Sequence, residues 1–469
     1  MSCEELGGCM PVSVIAVWGV LTICVGLVSC AATRTATTEP SPRPLGRDVP
    51  AFAAGPPARP EPIDLEEPVG AITVRQAVAL ALMRNPELQA FSWEARARDA
   101  DAIQAGRLPN PVLTADLQDI GSSNASADTV FQPQANLTIS QLIELGGKRG
   151  RRAEAAALAR DLAGWEYERK RIEVITQVSQ ACAELLGAQE QLALADEMLR
   201  LAESVVDIVS ARVRAGKVAA VEEVKAQVAL SAARIERGRA ANEVDAARGR
   251  LAATWGSMVP RFEKAEGSLG PASPIPPLSD LAGRLDQSPA LSRWTADLAQ
   301  RRAALDLERA RAIPDLTVLG GYRRYDTTGD STFTAGLSIP LPIFDRNGAG
   351  IQAARDRLAK GEAEQQAEHA RVSLALAEAY RALSAAQREA VAIEERILPG
   401  AQSAFDAVNE GYRIGKFGLL DVFDAQRTWF HARSQHLRAL INYRIAVADV
   451  EGLTGESLHG TSDHASGEE

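Results

Sequence analysis

The chain has 469 residues, 46% of them hydrophobic, which is enough to bury a core in one to three domains and excludes a disordered polymer. Aromatics make up only 5%, and Ala, Leu and Val dominate the apolar fraction, which favours long, closely packed helices over a β-sandwich or a deep ligand pocket. A net charge of −10, with no basic stripe interleaved with aromatics, argues against nucleic acid as a partner.

At the N-terminus an uncharged apolar run, Pro11 to Ser29, has the length of a signal-peptide core. It ends in Leu27-Val28-Ser29-Cys30, which resembles a bacterial lipobox and makes Cys30 the expected lipidation site. Glu4 and Glu5 stand where a leader wants positive charge, an objection that a start at Met10 would remove. Cys3, Cys9 and Cys24 lie in the same segment, so only Cys182 remains in the body and no disulfide framework is expected. Nine prolines between Thr35 and Val69 read as an extended linker, and the Gly-, Ser- and acid-rich tail as disordered. The expected organisation is a signal peptide at 1–29, a lipidated N-terminus and linker at 30–69, two repeats at 70–257 and 278–456 joined by 258–277, and a tail at 457–469.

The repeats emerge when the chain is compared with itself. Arg214-Ala215-Gly216-Lys217 matches Arg413-Ile414-Gly415-Lys416, Ala226-Gln227 matches Ala425-Gln426, and Gly256 matches Gly455, each 199 positions apart. Asn85-Pro86 and Pro111 find counterparts in Ser288-Pro289 and Pro314 at an offset of 203. An ordered series of this length signals duplicated domains. Within each copy a helical segment (Val74 to Gly106; Leu278 to Ala312) leads into two strands. Ala135, Leu137 and Ile139 alternate with polar residues in the first copy, as Phe333, Ala335, Leu337 and Ile339 do with Thr332, Thr334 and Ser338 in the second. Their partners are Val112 to Ile120 and Leu316 to Tyr325.

Long proline-free stretches follow. Leu185, Leu192, Leu199, Val206 and Val213 recur every seventh position, with Ala181, Ala188, Ala195, Ala202 and Val209 forming a second row, the seam of a coiled coil. Lys148 to Ala215 as one helix would span about 100 Å, with Gly216 and then Gly415 turning the chain back in the two copies.

Half-apolar strands of this length can cross an outer membrane, but four strands cannot close a barrel, and an open edge is not tolerated in lipid. Three chains with four strands each would give 12, enough to enclose a lumen lined by the polar row. A small soluble sheet is the alternative reading of the same alternation.

From about Val69 to Gly455 the chain resembles the TolC-type outer-membrane efflux proteins. The residues that carry the resemblance are Asn85-Pro86, Pro109-Asn110-Pro111, the segment from Ser140 to Arg149 with Gln141-Leu142-Ile143-Glu144-Leu145-Gly146-Gly147-Lys148, its counterpart from Ile339 to Asn347, and Gly411-Tyr412-Arg413-Ile414-Gly415-Lys416 running into Leu420-Asp421-Val422-Phe423-Asp424. The segment from Gln141 to Arg149 looks most like the cobalt-zinc-cadmium branch of lipoproteins. The resemblance implies a mainly α protein with a small β part, a homotrimer whose 12 strands form an outer-membrane barrel continued by a periplasmic helical tunnel, and as partners a periplasmic adaptor, an inner-membrane resistance-nodulation-division pump and outer-membrane lipid.

Asp421 and Asp424, one turn apart on one helix face, would form two stacked carboxylate rings in a trimer, which favour cations and can narrow a pore mouth. Carboxylates near a helix N-terminus are also ordinary partners of the helix dipole. The resemblance matches both to the acidic periplasmic gate, together with Tyr412, while Phe417 stands where relatives carry a polar partner. The first copy has Glu222 and Lys225 at the corresponding places, so the acidic pair belongs to the second copy alone.

Nothing points to an enzyme, a cofactor or a resident metal. No Gly-Lys is followed by the Ser or Thr of a phosphate loop, and the chain lacks His-Glu-x-x-His and Cys-x-x-Cys. His369, His431 and His436 have no ligand spacing, and His459 and His464 with Asp463 could hold metal only weakly. The expectation is a passive exit duct of a tripartite efflux system for heavy-metal cations. A duct for drugs or for type I protein secretion, and a pore-less coiled-coil lipoprotein, are the competing readings.

Overall fold

A computed structural model describes residues 43–53, 67–119, 133–326 and 328–458. The first repeat runs β1 (Ala71–Thr73), α1 (Val74–Arg84), α2 (Pro86–Ala105), the strands β2 (Val112–Gln118) and β3 (Gln134–Ile143), α3 (Lys148–Arg214) and α4 (Ala220–Ala253), followed by β4 (Lys264–Glu266). The second has α5 (Leu278–Leu285), α6 (Pro289–Arg311), β5 (Leu316–Tyr325), β6 (Ser331–Ser338), α7 (Gly348–Ala392), a π-turn at Ile393–Ile397, α8 (Leu398–Arg413) and α9 (Leu419–Thr454). The chain is mainly α with a small β part, and the same order of elements occurs twice. Among the described residues no helix is long and apolar enough to cross a membrane.

Each leading helical segment, expected to be continuous, is broken in two. The residue before a proline is pushed out of the helical region. Asn85 accordingly sits at φ −58°, ψ 119°, accepts a hydrogen bond from the Leu88 amide at 2.9 Å and caps α2. Its side-chain amide also donates to the Thr254 carbonyl at 2.8 Å, tying the break to the end of α4. Ser288 before Pro289 interrupts the second segment in the same way.

α3 is one helix of 67 residues, about 100 Å long. Ala181, Ala188, Ala195, Ala202 and Val209 are all buried, and they meet a row not anticipated from the sequence: Ala226, Ala233, Ala240 and Ala247 of α4, also a heptad and also buried. Small side chains on both sides allow close antiparallel packing, while in the other row Leu185 is buried and Leu192, Leu199, Val206 and Val213 are only half-buried. The second repeat departs from this regularity at Pro399, which has no amide to give to the helix ladder. The helix widens upstream, with the Leu398 amide bonding back to Ile393 across a π-turn, and then continues.

The largest core joins α1, α3 and α4 with Phe262, Ala265 and Leu269 beside the parallel β1–β4 pair, and takes in Ile393, Ala439 and Leu440 of the second repeat. A second core lies between α5, α7 and α9 around Leu376, Leu383 and Tyr443.

Part of the proline-rich stretch is pinned down instead of leading freely away. The Arg43 amide donates to Glu168 at 2.8 Å, its guanidinium reaches Glu456 at 3.0 Å and the Thr454 carbonyl at 3.2 Å, and Arg171 donates to the Arg43 and Leu45 carbonyls. Phe52 accepts from the Tyr167 hydroxyl at 2.6 Å, and burial pushes that phenol up to about 12. This strap bridges the first repeat to the end of the second. Glu456 and Leu458 are likewise bound, the latter through the Glu451 carboxylate at 2.8 Å. Cys30, and His459 and His464 of the tail, lie outside the described residues.

Where β3 hands over to α3, Gly146 and Gly147 adopt φ of 69° and 71°. A Cβ on Gly146 would also strike the Ile313 side chain at 2.7 Å, so both the turn and the close approach of the second repeat require glycine. Glu144, itself 9% exposed, receives two bonds from Arg152 at 2.5 and 3.0 Å, and Arg152 also caps the carbonyls of Ala105 and Arg107 at the end of α2. Lys148 meets Asp315 at 2.7 Å, ahead of β5. The segment from Gln141 to Arg149 is thus a structural joint between the repeats. Removing Arg152 strands the Glu144 carboxylate. Arg152→Ala is expected to destabilise the chain by about 2 kcal/mol, read as a lower melting temperature by helical circular dichroism, with Arg152→Lys losing less; an unchanged melting curve would remove this joint from the stabilising contacts.

Candidate functional site

Two regions present chemistry to the outside, the sheet at one end of the long helices and the helix turns at the other. All pairings in the sheet are antiparallel, in the order β2-β3-β5-β6, so β3 and β5 join the hairpins of the two repeats. Partners in register share a face. One face carries Leu113, Leu117, Leu137, Ile139, Phe333 and Leu337, all exposed. The other carries Thr114, Asp116, Asn136, Thr138, Arg323, Thr332 and Thr334. On it Asp116, Asn136, Arg323 and Thr332 form one cross-strand row, with Arg323 donating to Asn136 at 2.7 Å. Gly321 stands between Thr138 and Thr334, whose hydroxyls a Cβ there would meet at 2.9 and 2.8 Å. The outer backbone edges of β2 and β6 have no ladder partner among the described residues. The result is a two-sided ribbon with an oily face, a wet face and two open edges.

At the opposite end, α3 turns into α4 at Gly216 (φ 66°) and α8 into α9 at Gly415 (φ 82°). The amide of Lys217 bonds the Arg212 carbonyl at 2.9 Å, and that of Lys416 the Gly411 carbonyl at 2.7 Å, so the two turns close alike. Val205, Val209, Ala226, Leu419 and Val422 pack into a small core that includes Tyr412.

Asp421 is exposed in the first turn of α9, where its carboxylate accepts from the Gly418 amide at 2.8 Å and helps start the helix. Asp424 is exposed one turn on and pairs at i+3 spacing with Arg427 at 2.7 Å, which offsets its charge. Tyr412 is buried, apart from both carboxylates' exposed face. Its ring lies under the guanidinium of Arg212, 4.3 Å from the centroid, and Arg212 also donates to its carbonyl at 3.5 Å. Arg212, on α3, adds a polar contact between the two repeats to that small core, and no local pattern announces it. Phe417 folds back onto Gly411, leaving no room for a Cβ there. In the first repeat Glu222 pairs with Lys225 at 3.2 Å, while Glu223 accepts from Ser210 at 2.5 Å. No cluster of His, Cys, Asp and Glu able to hold a metal ion occurs among the described residues.

A duplicated helical body carrying an amphipathic ribbon with open edges defines a class of membrane-crossing duct. Residues 77–257 and 283–456 match the model of the outer membrane efflux protein family, and the chain belongs to that family. It is therefore an outer-membrane efflux channel protein, not an enzyme. Among curated proteins it is similar to the cobalt-zinc-cadmium resistance protein CzcC of Cupriavidus metallidurans, 34% identical over 84% of this chain and 92% of that one. The nickel-cobalt-cadmium resistance protein NccC of Alcaligenes xylosoxydans is 30% identical over 64% of this chain and 66% of that one. Among solved structures, the Campylobacter jejuni CmeC outer membrane channel superposes with a TM-score of 0.70 at 16% identity, covering 92% of this chain and 96% of that one. A structure of CusC gives 0.67 at 18%, covering 87% and 99%.

Arg212 offers a direct test of how the repeats are held at the turns. A desolvated cation over an aromatic face contributes about 1–2 kcal/mol, so Arg212→Ala is expected to raise amide hydrogen exchange in residues 412–418 roughly tenfold, with Arg212→Lys intermediate. Unaltered exchange would mean that the turn core alone fixes Tyr412.

Proposed function

We propose that this chain is one protomer of a homotrimeric exit duct in a tripartite efflux system, and that it passes heavy-metal cations delivered by a resistance-nodulation-division pump through a periplasmic adaptor. The observation that carries the reading is the four-stranded ribbon with its two open edges. In lipid every backbone donor and acceptor needs a partner, so the edges of β2 and β6 must be satisfied by further copies. Three copies give 12 strands, with the Leu137 and Phe333 face toward lipid and the Asn136 and Arg323 face toward water. The cargo reading draws on the relatives named for cobalt, zinc, cadmium and nickel resistance. Lipidation at Cys30 would tether the body to the same membrane as the barrel.

In this trimer the turns around Asp421, Asp424 and Tyr412 form the periplasmic gate. Three Asp421 carboxylates make an acidic ring that attracts cations and is held in place by the Gly418 amide. The Asp424 ring is partly offset by Arg427. Asp421 is thus the stronger determinant of the two. Tyr412 acts from behind, holding the second-repeat turn against Arg212 of the first.

In planar bilayers the purified protein should form channels, and Asp421→Ala should lower cation preference more than Asp424→Ala does. Equal selectivity of wild type and the double variant would discard the acidic gate, and absence of conductance would discard the duct. A strain lacking the protein should lose tolerance to cobalt, zinc or cadmium and regain it on complementation; unchanged tolerance to all three, with heightened drug sensitivity, would assign the duct to another cargo.

A further inference from the structure

Among the described residues one charged side chain lies on the apolar face of the sheet. Arg324 pairs in register with Ser331 on β6 and Ala135 on β3, whose own neighbour on β2 is Leu117, so it lies on the same face as Leu137, Tyr322 and Phe333. It is exposed and has no partner among the described residues, although the turn beyond it carries Asp326 and Asp330. Its neighbour Arg323, on the polar face, is by contrast held by Asn136.

The surroundings of Arg324 are graded from oily to polar. Tyr322 and Phe333 pack edge to face at 5.8 Å, and the Tyr322 hydroxyl meets the Ser331 hydroxyl at 2.5 Å, pointing the polar end of the ring toward Arg324's row. From Leu316 at the helix end of β5 to Arg324 is about 26 Å along the strand, comparable with the apolar band of roughly 25 Å on an outer-membrane barrel. Beyond the helix end, Ile339, Leu341, Ile343 and Phe344 extend the exposed apolar surface. Arg324 therefore stands at the far rim of the band, on the side away from the helices, where tyrosine belts sit at headgroup level.

We propose that Arg324, framed by Tyr322 and Ser331, is a binding site for the phosphate group of an anionic outer-leaflet lipid. This rests on the barrel reading, which turns the apolar face to lipid. A guanidinium is suited to phosphate because its planar fork donates two parallel hydrogen bonds and is weakly hydrated. Its apolar neighbours on β2 and β3 offer it no carboxylate, so a charge at this depth is satisfied by a ligand that shares the membrane with it. Of the hydrogen-bonded Tyr322 and Ser331 hydroxyls, the one that accepts from the other keeps its own proton to donate to a sugar or phosphate oxygen.

The full-length protein, reconstituted in phosphatidylcholine vesicles containing either bisphosphorylated lipid A or its dephosphorylated form, tests this directly. Lipid retained on the protein after detergent extraction is counted by native mass spectrometry, and channel conductance is recorded on the same samples. Arg324→Ala and Arg324→Glu are expected to lower retention of bisphosphorylated lipid A roughly tenfold while conductance persists, with Arg324→Lys intermediate and Arg323→Ala, on the opposite face, like wild type. Wild type should retain little of the dephosphorylated lipid. Normal conductance with equal retention by wild type and Arg324→Ala overturns the lipid site and leaves the barrel standing. Failure of wild type to conduct overturns the barrel reading, and the lipid site with it.

Discussion

An unpaired strand edge in a hydrocarbon environment leaves a row of amide and carbonyl groups without partners, each at a cost of several kcal/mol. Among the described residues the ribbon has two unpaired edges, on β2 and β6, and it is oily on one face. Duplication alone does not remove them. It supplies the β3–β5 pairing that fuses two hairpins into one ribbon, and so halves the number of edges that must be satisfied from outside. In the proposed duct what remains is closed by other copies, and the rest of the molecule holds the ribbon in a fixed register.

That register is set at the joint below the sheet. Glu144 and Arg152 lock the exit of β3 to the end of α2, Lys148 and Asp315 lock it to the entry of β5, and Gly146 lets Ile313 approach where any Cβ would intrude. A slip of one residue would exchange the oily and wet faces. Ion pairs at this depth contribute modestly to stability, but each is satisfied on both sides and specifies one arrangement. Below the joint the Ala rows of α3 and α4 keep the two helices close over their shared length, so that a displacement at the turns is carried along a stiff rod.

Much of this was legible because it is periodic. The heptads of α3, the alternation in β3 and β6, the glycine turns and the duplication all repeat at fixed spacing, and each spacing corresponds to a backbone geometry. The contacts between distant segments were not legible. Arg43 with Glu168 and Glu456, Arg212 with Tyr412, and Arg152 with Glu144 and the end of α2 join residues whose identities are common on any helical surface, and nothing local selects one partner over another. The strap is hidden for a related reason: proline-rich sequence cannot form helix or sheet ladders, but it can still dock through carbonyls offered to Arg171 and Tyr167. Arg427 is different, since its spacing from Asp424 is readable in the sequence, and it changes the weight of the proposed acidic pair.

The two copies share a plan but differ where a moving part would need them to. In the first, α3 is unbroken and the charges Glu222 and Lys225 neutralise each other at the turn. In the second, the helix is widened by the π-turn before Pro399, and Asp421 accepts from the Gly418 amide with no opposing charged side chain among the described residues. A π-turn has one residue more than its helical neighbours can pair in register, so the segment below it, α8 with Tyr412, can rotate against the segment above with less disruption of the ladder than a straight helix would suffer. Beside the small apolar core, its polar contact with the first repeat at the turns is the Arg212 and Tyr412 stack, which can be remade after a small displacement because a cation over a ring tolerates sliding. In the proposed duct the first repeat is accordingly the fixed wall, and the second is the half whose charge and backbone suit it to open and close the mouth.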